Sequence, residues 1–104
     1  MNRAPSEALR ALFAKTWIED ELRLAQAMQS ADARRVLQTL HRVKGALLTL
    51  GEREAADRCD RLRDAIETEG VAAATAALCR FRERVGAIAA DVAGVDHVER
   101  PSDA

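Results

Sequence analysis

Residues 32–51 read DARRVLQTLHRVKGALLTLG, and the apolar members of this stretch recur at the spacing of one face of an α-helix. At about 100° per residue, five of them fall on one stripe: Val36, Leu40, Val43, Leu47 and Leu50. The spacing predicts a helix from about Asp32 to Leu50 whose stripe is buried. Asp32 is of a residue type that caps helix starts, and Gly51 is of the type that supplies a left-handed residue after a helix.

His41 lies roughly 140° away from that stripe, on a face predicted to meet solvent. Lys44 and Gly45 follow it by three and four residues, so they are its neighbours on the helix surface. An imidazole beside a cation and a residue without a side chain can carry a phosphoryl group. A glycine inside a helix lowers helix stability by about 1 kcal/mol relative to alanine, so the presence of Gly45 requires an explanation. Clearance for the phosphoryl group is one reason, and close packing of two helices is the alternative.

This run resembles the histidine-containing phosphotransfer (HPt) family. The family motif is a histidine, any residue, an apolar residue, lysine and glycine, with a later glycine that ends the helix. The matching residues are His41, Arg42, Val43, Lys44, Gly45 and Gly51. The chain departs from the family pattern at Leu47 and Leu48, where small residues are common. Leu48 falls on the histidine face and changes the shape of that surface.

The resemblance implies a role for each of these residues. His41 would accept a phosphoryl group from an aspartate of a receiver domain in a two-component system, Lys44 would offset the charge of that group, and Gly45 would leave room for it. The acidic pocket of the receiver would bring the divalent cation, so we expect no cofactor or metal in this chain. The chain has no glycine-rich nucleotide loop, which predicts a phosphocarrier without kinase activity of its own.

The same helical arithmetic predicts a partner-binding surface around His41. It comprises Arg34, Leu37, Gln38 and Leu48. Exposed apolar residues around a polar centre are typical of transient interfaces, so we predict that Leu37 and Leu48 contact the receiver. The alternative is that both leucines fill the seam toward the preceding helix.

The rest of the chain predicts further helices and an all-α fold, an antiparallel up-down-up-down four-helix bundle with a short N-terminal extra helix. Ser6 would cap the extra helix, and the pair Thr16 and Glu19 would form a capping box that opens the next one, with Ile18 and Leu22 inward. The predicted helices are Glu7 to about Lys15, Thr16 to about Gln29, Asp32 to Leu50, Glu52 to Glu69 and Val71 to about Ala93.

The composition indicates one helical domain, assigned to residues 1–94, and a disordered tail or linker stub at 95–104. Sixteen basic and seventeen acidic residues give a net charge of -1 without a sustained basic field, which argues against nucleic acid and anionic membranes as partners. No apolar run approaches the ~20 residues of a membrane span, and we expect a cytoplasmic protein. Cys59 and Cys79 are predicted to be buried thiols.

Three classes of function fit these observations. The first, which we favour, is a phosphocarrier that passes the group from one receiver aspartate to another in a bacterial-type phosphorelay. The second is a non-phosphorylated adaptor that binds receivers or kinases through the same face, and the third is a structural bundle. Whether the domain is freestanding or part of a hybrid sensor kinase is left open by the sequence.

Overall fold

The computed structural model describes residues 6–93, which form four α-helices and, within that range, no strand. The helices are α1 (Glu7–Gln29), α2 (Ala33–Thr49), α3 (Arg53–Glu69) and α4 (Val71–Ala93). Turns of one to three residues join them, and they pack in a ring in which α1 and α3 each contact α2 and α4. Because short turns make successive helices antiparallel, the predicted up-down-up-down bundle is confirmed. The predicted tail at 95–104 lies outside the described residues.

The helix that carries His41 begins and ends where its capping residues predict. The Asp32 carboxylate accepts a hydrogen bond from the Arg35 backbone N–H at 3.1 Å. At the other end Gly51 has φ +82°, and the N–H of Glu52 donates to the Leu47 carbonyl at 2.8 Å. This is a Schellman motif, which requires a left-handed residue and therefore favours glycine. Both ends of α2 are thus fixed by local chemistry.

The predicted stripe of α2 lies at the centre of the core. Val36, Leu40, Val43 and Leu47 are at most 2% exposed, and Leu50 is 8% exposed. They pack with the buried side chains of the other helices, among which Leu24, Leu78, Phe81 and Val85 are almost fully enclosed. Burial of these residues turns the opposite face of α2, with His41, toward solvent.

The prediction of a short N-terminal extra helix is wrong, because Glu7–Gln29 is one continuous helix. Ser6 does cap its start, with its hydroxyl accepting from the Leu9 N–H at 3.1 Å. Thr16 and Glu19 lie within the helix rather than at its beginning. A capping-box sequence starts a helix only where the chain before it is not helical. No glycine or proline interrupts residues 7–29, so nothing ends the first segment.

The predicted orientation of α1 is also wrong. Ile18 and Leu22 are 70% and 59% exposed. The buried residues recur at spacings of four and three and comprise Phe13, Trp17, Asp20, Leu24 and Ala27. This phase buries both aromatic side chains of α1, which bring the largest apolar areas, and leaves Leu12, Ile18 and Leu22 mostly exposed.

The two thiols differ in their surroundings. Cys59 is buried as predicted, whereas Cys79 is exposed and its prediction was wrong. Cys79 follows Leu78, which occupies the inward position of that turn of α4. No helix in the described range is both long enough and apolar enough to cross a membrane.

Within residues 6–93, each of the four seams between neighbouring helices carries one cross-helix ion pair. The pairs are Asp20 with Arg42 at 3.4 Å, Lys44 with Asp60 at 2.9 Å, Glu54 with Arg84 at 2.8 Å and Glu21 with Arg82 at 3.6 Å. Ion pairs open to solvent contribute about 0–1 kcal/mol each. The buried core therefore supplies most of the stability, and the ion pairs orient side chains at the seams.

Alanine substitution of two leucines on α1, one buried and one exposed, tests the orientation of that helix. Leu24→Ala is expected to lower the free energy of unfolding by about 2–5 kcal/mol, because it leaves a cavity in the core. Leu22→Ala is the matched control and should change stability by less than about 0.5 kcal/mol. Urea unfolding followed by circular dichroism measures both. A larger loss at Leu22 than at Leu24 would contradict the structure.

Candidate functional site

His41 lies midway along α2, is exposed, and borders two depressions. On one side is a pocket of about 130 Å³ between α2 and α3, lined by Leu37, Leu40, His41, Lys44, Cys59, Asp60 and Arg63. On the other is an open hollow lined by Arg34, Leu37, Gln38, His41 and Arg42. The imidazole is therefore accessible to a group that approaches from outside the bundle.

Lys44 is held across the seam by α3. Its Nζ donates to both carboxylate oxygens of Asp60, at 2.9 and 3.1 Å. The hydrogen bond from Lys44 lowers the pKa of Asp60, and Arg63 lies 3.6 Å from the same carboxylate. An ammonium has three N–H donors, so a further acceptor can bind Lys44 while Asp60 still holds it. Lys44 is thus positioned beside His41 by a partner on another helix.

Asp60 was missed by the sequence reasoning. It directly follows the buried Cys59, and its carboxylate is partly exposed at the rim of the pocket. Helical periodicity indicates which residues share a face of one helix, but it does not indicate which side chains meet across two helices. No signal in the single sequence pairs Asp60 with Lys44.

Gly45 is open to solvent. A Cβ atom placed on it would meet nothing within 4 Å. Close packing of two helices therefore does not explain this glycine within the described chain, and that alternative is removed. Clearance for a group that approaches from outside, the other reason considered, is compatible with the open space.

The predicted partner-binding residues lie around His41 but differ in burial. Arg34 and Gln38 are exposed, and Leu48 is 47% exposed. Leu37 is half-buried and packs against the core, where it lines the pocket with Cys59 of α3. Leu37 therefore fills a seam in part, toward α3 rather than toward α1, while Leu48 projects from the bundle.

Cys59 also lines the pocket and carries a thiol that could act as a nucleophile. Burial raises the pKa of its thiol to about 12. The thiolate is the reactive form of cysteine, so at neutral pH this side chain is inert. Of these two side chains, His41 is the accessible nucleophile.

At the seam between α2 and α1, the buried carboxylate of Asp20 contacts two arginines. Asp20 is 3% exposed and accepts a hydrogen bond from Arg23 at 3.0 Å, while Nε of Arg42 lies 3.4 Å away. Sequence reasoning missed Asp20 because it assigned a different buried face to α1. The spacing of Phe13, Trp17 and Leu24 contained the signal, since Asp20 continues the same stripe.

The described range contains no group of three or more His, Cys, Asp or Glu side chains placed to hold a metal ion. An exposed histidine on one helix of an antiparallel four-helix bundle, followed by lysine and glycine at three and four residues, is the arrangement that the resemblance to histidine phosphotransfer domains implies. The family model described as Hpt domain matches residues 8–96, so the chain belongs to the Hpt domain family. Domains of this family act in phosphorelays, where they interact with receiver domains of response regulators. No curated protein and no solved structure matches the chain.

The ion pair between Lys44 and Asp60 predicts a pH dependence. Because the pKa of Asp60 is lowered in the folded state, the pair contributes stability above the ordinary aspartate value of 3.8, and this contribution is lost as the pH falls through the lower folded pKa. Asp60→Asn should therefore be less stable than wild type at neutral pH, with a difference that shrinks in acid.

Urea unfolding between about pH 3 and pH 7 measures this difference over the range in which carboxylates titrate. Asp57→Asn is the matched control, since Asp57 is exposed on the same helix, and it should match wild type throughout. A difference between Asp60→Asn and wild type that stays constant with pH would show that the charge of Asp60 does not stabilise the fold.

Proposed function

We propose that this domain is a phosphocarrier that accepts a phosphoryl group on His41 from a receiver phosphoaspartate and passes it to the aspartate of another receiver. The observation that carries the proposal is the exposed imidazole at the mouth of a pocket, with Lys44 beside it and open space over Gly45. The family to which the chain belongs supports the same class of reaction.

The proposed chemistry is one nucleophilic substitution at phosphorus. The lone pair of an unprotonated imidazole nitrogen of His41 forms a P–N bond while the P–O bond of the acyl phosphate breaks. The aspartate carboxylate leaves with the electron pair of that bond, and the proton on the other imidazole nitrogen is not transferred. Donation of the phosphoryl group to a second receiver is the reverse of this step, so one residue serves both directions.

Lys44 and Gly45 serve the phosphoryl group in different ways. The ammonium of Lys44 offsets its negative charge through a charge-assisted hydrogen bond, and its bond to Asp60 keeps it near His41 before the group arrives. Gly45 leaves space for the phosphoryl group and for the receiver. The receiver supplies the aspartate and the divalent cation, so the domain contributes a nucleophile and its surroundings rather than a complete active site.

The proposed docking face consists of Arg34, Leu37, Gln38 and Leu48 around the three central residues. Leu48 offers exposed apolar surface, and Arg34 and Gln38 offer polar contacts. The donor in this scheme is a receiver domain, and one that belongs to a hybrid sensor kinase fits the same chemistry. As part of this proposal we assign the domain to the cytoplasm.

The role of His41 is tested by transfer of labelled phosphate from phosphorylated receiver domains. Wild type is expected to become labelled and His41→Gln to remain at background, because the amide cannot form the P–N bond. The label should be lost in acid and retained in alkali, as expected for a phosphoramidate. A wild-type protein that binds a receiver but takes up no label would favour the adaptor function.

Gly45→Ala separates the stability of the domain from its function. Alanine removes the conformational cost of glycine, so the free energy of unfolding should rise by up to about 1 kcal/mol. Transfer should slow by about ten- to a hundredfold, because the new methyl group displaces the reacting groups.

Gly86→Ala on α4 is the matched control, because a Cβ there would make an ordinary 3.9 Å contact with Nε1 of Trp17. It is expected to leave transfer unchanged. Normal transfer by Gly45→Ala would contradict the proposed reason for the glycine.

A further inference from the structure

The seam between α1 and α2 contains a cleft of about 370 Å³ beside the histidine face. We call it the arginine cleft, and its lining residues are Arg23, Gln26, Arg35, Gln38, Thr39 and Arg42. The lining contains three guanidinium groups, two amides and a hydroxyl, and no carboxylate. Gln38 and Arg42 also line the hollow at His41, so the two surfaces are continuous.

The buried Asp20 holds two of the three guanidinium groups in place. Arg23 donates to it through a terminal nitrogen at 3.0 Å, and Arg42 faces it through Nε at 3.4 Å. An arginine has five N–H donors in a planar fork, so the contact through Nε leaves both terminal nitrogens of Arg42 available. The side chains of Arg23 and Arg42 are about half exposed, at 48% and 55%. The cleft thus offers pre-oriented donors to a ligand.

The charge of this face differs from that of the whole chain. Residues 33–49 include Arg34, Arg35, Arg42 and Lys44 and no aspartate or glutamate, although the chain carries a net charge of -1. In α3, by contrast, basic and acidic residues are interspersed along the helix. The excess of positive charge is therefore local to α2 and lies beside His41. Its small extent does not provide the sustained basic surface that nucleic acids require.

We propose that the arginine cleft binds acidic side chains of the receiver domain while that domain is docked on His41. The proposal rests on the proposed function, which supplies the identity of the partner. Guanidinium groups bind carboxylates through paired hydrogen bonds. The partner implied by the proposed function is a receiver whose acidic pocket carries the aspartate and binds the divalent cation, so carboxylates near that pocket would face the cleft. The cleft would accelerate association of the receiver and orient it on α2.

The test compares charge reversal inside and outside the cleft. Arg35→Glu is the cleft variant, because Arg35 is exposed and is not bonded to Asp20. Arg61→Glu is the matched control, since it changes the net charge equally but lies in the seam between α3 and α4. The probes are the purified receiver domains encoded in the same genome, and circular dichroism verifies that each variant is folded.

The association rate is measured at about 0.05 M and about 0.5 M NaCl, between which charge screening changes strongly. Arg35→Glu should associate about tenfold or more slowly than wild type at low salt, and the difference should largely disappear at high salt. Arg61→Glu should match wild type. An equal decrease in association rate for both variants would overturn the proposal. A decrease for Arg35→Glu that does not depend on salt would also overturn it. The proposal would also be overturned if Arg35→Glu bound receivers normally but lost binding to a labelled oligonucleotide, because the ligand of the cleft would then be a nucleic acid.

Phosphorylation of His41 by phosphoramidate, a small donor that needs no docking, distinguishes failure of this inference from failure of the proposed function. If Arg35→Glu becomes phosphorylated like wild type but receives phosphate slowly from the receiver, both proposals are supported. If His41 is never phosphorylated but Arg35→Glu still weakens receiver binding, the phosphocarrier proposal fails and the arginine cleft is retained. If no receiver binds wild type, the inference is overturned.

Discussion

Burial of one stripe of α2 is the constraint on which the rest of the structure depends. Val36, Leu40, Val43 and Leu47 are at most 2% exposed, and both ends of the helix are fixed by local capping. Because the buried stripe sets the rotation of α2 and the caps set its ends, α2 can present only one face to solvent. That face carries His41. The stability of the bundle and the exposure of the candidate phosphoacceptor therefore have the same physical cause.

Charges at the seams of the bundle give this face its electrostatic character. Two cations next to His41 are held by carboxylates from neighbouring helices, Lys44 by Asp60 on α3 and Arg42 by Asp20 on α1. Such pairs add little to stability where they are open to solvent, but they fix the positions of charged groups. An anion that arrives at His41 meets donors that are already oriented, so less side-chain entropy is lost when it binds.

The sequence alone predicted α2, α3, α4 and the bundle, because these helices have one clear apolar stripe and glycines at their ends. It failed at α1, where apolar residues surround the helix and a capping-box pattern occurs in its interior. Leu22 and Leu24 fit two different phases, and only packing with the other helices decides between them. Asp20 and Asp60 were missed because their roles depend on contacts between helices. His41, Lys44 and Gly45 could be proposed as a site from the sequence, because their spacing lies within about one helix turn.

If the proposed function is correct, His41 holds a phosphoryl group that a receiver aspartate can take. The most direct measurement begins with protein phosphorylated by phosphoramidate, mixed with an unphosphorylated receiver domain and a divalent cation, and followed by ³¹P NMR. We expect the phosphohistidine signal to decay faster than in a control without receiver, while an acyl phosphate signal or free phosphate derived from it rises. If phosphohistidine decays at the same rate with and without each receiver tested, His41 does not pass its phosphoryl group to a receiver aspartate.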